Sequence, residues 1–253
     1  MALIEKSKIK TCFQSAQQSY VTQALAQQQI NQRLIQLLAK SGKSDFPTVL
    51  EIGCGTGDFT QRLANYANVE QWLLNDLYQS EAITQLITEK QLPAQFLLGD
   101  IEQIAVQQQC DLLCSASTVQ WLTQQQQFIA NCHQQLNEQG ILLFNSFAPT
   151  NLYEIRTLTG IGLTYPTLEQ WQRWLEDYFI VQELFTETIQ LTFASPLEVL
   201  QHLRATGVTA TQQQVWTKSK LNNFIAQYQE QFTLQTGQVS LTYCPVYVIA
   251  EKK

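Results

Sequence analysis

Charged side chains are scarce in this 253-residue sequence, where they make up 14% of the residues against the ~25% usual for globular proteins. Acidic residues outnumber basic ones, and the formal net charge is −6 at pH 7. Binding to nucleic acid requires a basic face that neutralises phosphates, so this composition argues against a nucleic-acid partner. Hydrophobic residues reach 45%, which is enough for the core of one large domain or two small ones.

Signatures of metal sites and membrane spans are missing as well. The chain has two histidines and six cysteines, and no two cysteines form a C-x-x-C pair, so a zinc site is not expected. No stretch approaches the ~20 apolar residues of a membrane span, and the basic segment 1–10 lacks the apolar centre of a signal peptide. Unpaired cysteines suit a reducing compartment. We therefore expect a cytoplasmic monomer without a metal or a membrane partner.

Strand-like and helix-like patterns alternate through the first two thirds of the chain, which predicts an α/β fold with a parallel sheet covered on both faces. The predicted strands are 48–52, 69–75, 94–98, 111–116 and 141–147, and the predicted helices are 19–39, 59–66, 81–89 and 128–136.

The pattern changes after residue 150. Segment 151–177 predicts two helical pieces broken at Gly160, Gly162 and Pro166. Further predictions are a long strand 179–193, helices 196–205 and 218–234, and a closing strand 239–250. We interpret 1–253 as a single domain with an N-terminal lid helix at about 11–40 and a cap inserted at about 150–178.

The most informative segment runs from Val49 to Asp58, where an apolar strand enters a glycine-dense turn and a helix follows. Glycine allows positive φ and a close approach to a ligand, and the helix start presents free N–H groups. The spacing is E-x-G-x-G-x-G, with Glu51, Gly53, Gly55 and Gly57, and it differs from the G-x-G-x-x-G of dinucleotide-binding folds. The plainer alternative is a tight strand–helix connection.

Ligands of open α/β sheets bind beyond the carboxyl ends of the strands, so the predicted strand tips are candidate sites. Asp76 follows the second strand about twenty residues after the glycine turn, where a carboxylate can bind a ribose diol, and Leu77 lies beside it. Asp76 could instead cap the next helix or sit in a turn, and Asp100 at the third tip could likewise be a turn residue. The third tip offers Asp100 for an adenine amino group and Ile101 to pack on the ring, and the fourth offers Ser115 as a small residue that leaves room for a cofactor.

Three residues outside the strand tips are further candidates. Trp121 could form a wall of the reaction pocket, although tryptophan is also an ordinary core residue. Tyr20 and Gln27 could close over a bound cofactor from the N-terminal helix, or this helix could simply pack on the core.

Glu51, Asp76 and Asp100, taken in this order with the glycine turn, resemble the acidic motif, ribose acid and adenine acid of class I S-adenosylmethionine (SAM) methyltransferases. The resemblance implies a Rossmann-like, doubly wound, mostly parallel sheet of seven strands with an antiparallel last strand, and SAM as the cofactor.

Three further segments are similar to the malonyl-acyl-carrier-protein O-methyltransferase family of biotin synthesis. They are the N-terminal pattern from Phe13 to Gln27, the late helix ending in 202–208, and the closing element 240–243. Ser15 and Ser240 depart from that pattern, which usually has arginine and proline there. The resemblance implies methylation of the free carboxylate of a malonyl group carried by acyl-carrier protein, or by coenzyme A.

A carboxylate is already ionised at neutral pH, so this reaction needs no general base. It needs a cation that orients the carboxylate, and arginine suits that role. Arg156 in the cap is the first candidate and Arg204 the second, with an exposed helix residue as the alternative interpretation of Arg156. Other functions also stay open: a SAM methyltransferase of another small acid or a quinone-type acceptor, or a non-catalytic SAM-binding protein. A nicotinamide dehydrogenase is disfavoured by the glycine spacing.

Overall fold

A seven-stranded sheet forms the centre of the computed structural model, which describes residues 5–207 and 217–253, with the side chains of 16–23 left out. In chain order the strands are β1 (Asp45–Ile52), β2 (Asn68–Asp76), β3 (Ala94–Leu98), β4 (Cys110–Ser115), β5 (Leu136–Phe147), β6 (Phe179–Thr186), β7 (Ile189–Phe193), β8 (Val239–Tyr243) and β9 (Pro245–Lys252). The large sheet has the order β3-β2-β1-β4-β5-β9-β6, and β7 and β8 form a separate antiparallel pair. Strands β1 to β5 are parallel, and β9 is antiparallel to both of its neighbours.

Helices cover both faces of the sheet. They are α1 (Lys6–Gln23), α2 (Leu25–Lys40), α3 (Asp58–Tyr66), α4 (Glu81–Lys90), α5 (Gln125–Gln135), α6 (Tyr153–Thr159), α7 (Leu168–Glu176), α8 (Pro196–Ala205) and α9 (Lys218–Phe232), with one 3₁₀ turn at Val119–Trp121. Several starts are set by the local sequence: Ser80 caps α4, Thr167 and Gln170 form a capping box on α7, and Ser195 followed by Pro196 begins α8.

The core lies in two layers, one on each side of the sheet. Along β5, Ile141 and Leu143 belong to the layer that contains α2, whereas Leu142 and Phe144 belong to the layer that contains α5 and α7. Alternation of buried side chains between two covered faces is what a parallel sheet requires, and it explains the continuous apolar run in this strand.

The predicted fold class is confirmed, and the first five predicted strands each overlap an observed one. Two other predictions were wrong. The predicted long strand 179–193 is divided between β6 and β7, and the predicted closing strand 239–250 is divided between β8 and β9, in each case between different sheets.

The reason for both errors is a shared crossing from one sheet to the other. Thr186 pairs with Val246 in the large sheet, and Ile189 pairs with Tyr243 in the small one. Apolar residues lie on both sides of each crossing, so the periodicity alone does not show where the chain changes sheet. The predicted N-terminal helix 19–39 was also too short. In the structure α1 begins at Lys6, and the helical backbone is interrupted at Ala24 before α2 begins.

Within the described residues, no helix combines the length and the apolar character that a membrane span requires.

Candidate active site

The glycine-rich turn after β1 depends on its glycines for different reasons. Gly53, Gly55 and Gly57 have φ of +76°, +55° and +88°. A Cβ on Gly53 would lie 2.1 Å from Thr118 Oγ1, and one on Gly57 would lie 2.7 Å from Leu86 Cδ2. A Cβ on Gly55 would meet no described protein atom within 4 Å, and this residue lines a cavity. Gly53 is thus required for packing, whereas Gly55 has open space beside the cavity.

Glu51 lies at the end of β1 and is 1% exposed. The Thr60 hydroxyl donates a hydrogen bond of 2.7 Å to Glu51 Oε2. Burial raises the pKa of Glu51 to about 8, with smaller contributions from the negative charges of Asp76 and Asp58, while the Thr60 bond opposes the rise. The carboxyl group therefore keeps its proton at neutral pH.

Asp76 joins the tip of β2 to the glycine turn. The Gly55 N–H donates to Asp76 Oδ2 at 2.8 Å, and the Tyr78 N–H approaches Oδ1 at 3.5 Å. Burial raises the pKa of Asp76, and the backbone bonds act in the opposite direction. Asp76 lines the cavity, and each carboxylate oxygen can accept more than one hydrogen bond, so Asp76 has capacity to accept another from a bound ligand.

Asp100 lies at the tip of β3 and is contacted there by Lys6, a residue that was not predicted to take part in the site. Lys6 Nζ from α1 lies 3.3 Å from Asp100 Oδ1 and 2.8 Å from Glu102 Oε2. Glu102 in turn accepts hydrogen bonds from the N–H groups of Thr123 and Gln124 ahead of α5. Lys6 therefore fastens the N-terminal helix across the tip of the sheet.

These groups surround a first cavity of about 1030 Å³, including its open mouth. The predicted residues that line it are Gln27, Glu51, Gly53, Gly55, Asp76, Leu77, Asp100, Ile101 and Trp121. Gly57 and Ser115 do not line it. Ser115 is fully buried and donates to the Ile52 carbonyl at 2.8 Å, so that Ala116, Ser117 and Thr118 form the wall instead.

A second cavity of about 780 Å³ adjoins the first and shares four lining residues with it: Phe13, Gln27, Ser117 and Trp121. The rings of Phe13 and Trp121 meet edge to face with centroids 5.8 Å apart. Most of the remaining wall is apolar and comes from β5, α6, the loop 160–165, α8 and β8. Trp121 thus lies between the two cavities, whereas the side chain of Tyr20 lies outside the described residues.

The two candidate arginines differ in position. Arg156 lines the second cavity, donates to the Pro149 carbonyl and packs its stem against Gly162. Within the described ranges 5–207 and 217–253 no acidic side chain forms an ion pair with Arg156. Arg204 is exposed on α8 and does not line the cavity.

The closing element 240–243 holds the helix that carries Arg156. Glu154 of α6 is fully buried and accepts hydrogen bonds from Ser240 Oγ at 3.2 Å, Thr242 Oγ1 at 2.7 Å and the Thr242 N–H at 3.1 Å. The Tyr243 hydroxyl lies 2.9 Å from His202 Nε2. Burial lowers the pKa of His202 to about 4, so this histidine is neutral at physiological pH.

Several buried polar atoms of the two cavities have no hydrogen-bond partner among the described residues. They are Gln27 Oε1, Asn31 Oδ1, Ser117 Oγ, Gln120 Oε1 and Trp121 Nε1. Leaving such groups unpaired is costly, so their concentration here indicates a ligand that has both donors and acceptors. In the parts of the chain that the structure describes, no cluster of three or more His, Cys, Asp or Glu side chains could hold a metal ion.

The family model described as a methyltransferase domain matches residues 50–144. Over the whole chain, the sequence is similar to proteins named malonyl-(acyl-carrier protein) O-methyltransferase. The one from Haemophilus ducreyi is 42% identical and covers 100% of this chain and 99% of its own. The one from Haemophilus influenzae is 41% identical, with 98% and 95% covered.

Solved structures support the fold independently. A solved structure from Bacillus halodurans superposes with a TM-score of 0.63 at 16% identity, covering 86% of this chain and 97% of its own. The N-methyltransferase NodS from Bradyrhizobium japonicum, in complex with S-adenosyl-L-homocysteine, has a TM-score of 0.52 at 16% identity, covering 95% and 98%. At these identities the likeness concerns the fold alone.

Proposed function

This chain belongs to the malonyl-(acyl-carrier protein) O-methyltransferase family, and from that premise we propose that it transfers the methyl group of SAM to the free carboxylate of a malonyl thioester on acyl-carrier protein. The observation that carries this function is the pair of adjoining cavities, one lined by glycine backbone and acids and the other by apolar walls and Arg156. Two compartments that share one wall suit a reaction between a bound cofactor and a separate acceptor.

The first cavity fits SAM in chemistry and position. Asp76 would bind the ribose hydroxyls, Asp100 and Ile101 the adenine, and the backbone at Gly53 and Gly55 the remainder. Gln27 and Asn31 present unpaired amide oxygens near the glycine turn, and these suit the ammonium group of the methionine portion. Tyr20 would close over the same portion from α1. When bound, SAM supplies an electrophilic methyl group on a sulfonium.

The chain's own residues then act by binding and orienting the acceptor. Arg156, which has no acidic partner among the described residues, would bind the malonyl carboxylate, which is ionised at neutral pH and needs no general base. Trp121 and Phe13 would hold the reacting oxygen at the boundary between the cavities. The apolar walls exclude water, which favours the neutralisation of a cation and an anion as they react.

The wider biological setting follows from the resemblance to the family. We place the reaction early in biotin synthesis, in the cytoplasm, with a monomeric enzyme and with malonyl-acyl-carrier protein as the partner. Malonyl-coenzyme A is the alternative carrier of the same acyl group. Neither nucleic acid nor a membrane is part of this proposal.

The test is transfer of labelled methyl from SAM, measured in parallel with malonyl-acyl-carrier protein, malonyl-coenzyme A and free malonate. We expect base-labile methyl ester on the malonyl thioesters and little on malonate. Label on a different small acid or ring acceptor would replace the proposed substrate. SAM binding by calorimetry without turnover on any acceptor would indicate a binding protein instead of an enzyme.

A further inference from the structure

A chain of hydrogen bonds fixes the direction of one hydroxyl proton in the second cavity. The Cys244 N–H donates to Asn151 Oδ1 at 2.9 Å, and Asn151 Nδ2 donates to the Tyr165 hydroxyl oxygen at 3.2 Å. A backbone N–H can only donate, so the Asn151 oxygen must face Cys244 and its amide nitrogen must face Tyr165. The orientation of the Asn151 amide is therefore set by the backbone before β9.

This orientation leaves Tyr165 with a proton to donate. Its oxygen accepts from Asn151, and no acceptor for its own hydrogen is found among the described residues. Tyr165 and Asn151 are 9% and 2% exposed, and both line the second cavity. A buried donor without an acceptor is unfavourable, so the hydroxyl favours a cavity occupant that supplies one.

Arg156 adds a positive charge to the same wall of the cavity. Burial raises the pKa of Tyr165, and the Asn151 hydrogen bond and the charge of Arg156 only partly oppose this effect, so Tyr165 stays protonated and can donate at neutral pH. A cation with no acidic partner among the described residues, in the same cavity as an unused hydroxyl donor, is a combination that recognises a carboxylate.

We infer that Tyr165 is a second carboxylate-binding residue of the acceptor cavity, acting with Arg156, and that Asn151 directs the Tyr165 proton onto the substrate. The inference rests on the proposed function, because it takes the malonyl carboxylate as the occupant. Tyr165 would hold one carboxylate oxygen and leave the other available to the methyl group. The pair would thereby select acyl thioesters that end in a carboxylate over neutral ones.

The test compares Tyr165→Phe with wild type, using Tyr153→Phe as the matched control because Tyr153 lies on α6 outside the cavity. We expect Tyr165→Phe to raise the KM for malonyl-coenzyme A about tenfold, as expected for one lost hydrogen bond to a charged group. The dissociation constants of SAM and of butyryl-coenzyme A, a neutral acyl thioester, should stay within twofold. The Tyr153→Phe control should match wild type in the KM for malonyl-coenzyme A and in both dissociation constants.

A second variant makes the inference independent of packing at residue 165. In Asn151→Asp the new carboxylate still accepts from Cys244 but also accepts the Tyr165 proton, so the KM for malonyl-coenzyme A should rise more than in Tyr165→Phe while SAM still binds. Equal losses for malonyl and butyryl thioesters, or an unchanged KM in Tyr165→Phe, would overturn the inference alone. A wild-type enzyme that methylates no malonyl thioester would overturn the proposed function together with it.

Discussion

The cofactor cavity and the acceptor cavity of this protein share a wall but are built in different ways. The first is formed largely by the tips of β1, β2, β3 and β4, which lie within 80 residues of one another in order along the chain. The second collects residues from β5, α6, the loop after it, α8 and β8. The cofactor side is therefore a local property of successive strand–turn units, whereas the acceptor side exists only through long-range topology. Substitutions on the two sides should separate cofactor binding from acceptor binding.

The largest effect is expected in the glycine turn. In Gly53→Ala the new Cβ would clash with Thr118 at 2.1 Å with φ at +76°, and we expect loss of the folded protein, measured as soluble yield and thermal unfolding. Gly55→Ala should fold, at a cost of about 1–2 kcal/mol for the left-handed backbone, but should fail to bind SAM.

The control for both glycine variants is Gly42→Ala. Gly42 has φ +73° and open space around its Cα, but it lies away from the cavities. Gly42→Ala should lower the free energy of unfolding by the cost of a left-handed backbone and leave the affinity for SAM unchanged. A Gly55→Ala variant that binds SAM as wild type does would contradict the role of this turn.

The second effect isolates the acceptor side. Arg156→Ala should raise the KM for the malonyl thioester about 30-fold, equivalent to about 2 kcal/mol, and leave the dissociation constant of SAM unchanged. Arg173→Ala on α7, an exposed arginine outside both cavities, is the control and should change neither constant. Equal losses in both constants would show that Arg156 supports the whole structure instead of the acceptor.

A third effect is specific to the cofactor side and depends on pH. The ordinary pKa of a glutamic acid is 4.5, and that of Glu51 in the folded protein is about 8. Between these values the folded state keeps a proton that the unfolded state has released, so the free energy of unfolding should fall as pH rises through this window. Glu51→Gln should remove this component.

The measurement for Glu51 is the difference in free energy of unfolding between wild type and Glu51→Gln, followed by urea denaturation from pH 5 to pH 8.5 without ligand. Taking the difference removes the contribution of His202, which is present in both proteins. Its lowered pKa of about 4 makes the free energy of unfolding rise with pH in the acid range. A difference that does not vary with pH would refute the buried proton at Glu51.

The smallest effect concerns the ion pairs that hold α1 against the tip of the sheet. The ion pairs of Lys6 with Asp100 and Glu102 are partly exposed, and such pairs contribute about 1 kcal/mol or less. Lys6→Met should therefore weaken SAM binding by about threefold to fivefold, mostly through faster dissociation in stopped-flow measurements, and the difference should shrink at high salt. Lys40→Met, an exposed lysine of α2, should have no effect. A slower dissociation would show that Lys6 competes with the cofactor for Asp100.

The same division explains what could be predicted from the sequence. Glu51, Gly53, Asp76 and Asp100 lie at or just beyond the ends of three successive apolar strands, so each could be found from its local context. Tyr165 and Asn151 carry no such signal, because their relation depends on a backbone N–H at Cys244, 93 residues further along the chain than Asn151. Lys6 was missed for a similar reason, since its partners lie about 95 residues away.

The errors in the fold have the same physical origin. Apolar alternation reports whether a residue is buried but not in which sheet it is buried. The change of sheet at 187–188 and at Cys244 is therefore invisible in the pattern, although the helices on either side were located correctly.

Strand β9 lies between β5 and the edge strand β6, although it follows both of them in the chain by more than 55 residues. During synthesis on the ribosome, the edges of β5 and β6 that pair with β9 therefore stay unpaired until β9 has emerged. Exposed strand edges of this kind invite pairing with other chains. We expect nascent chains of this protein to depend on chaperones during that interval, even though the finished sheet places the same backbone groups in its interior.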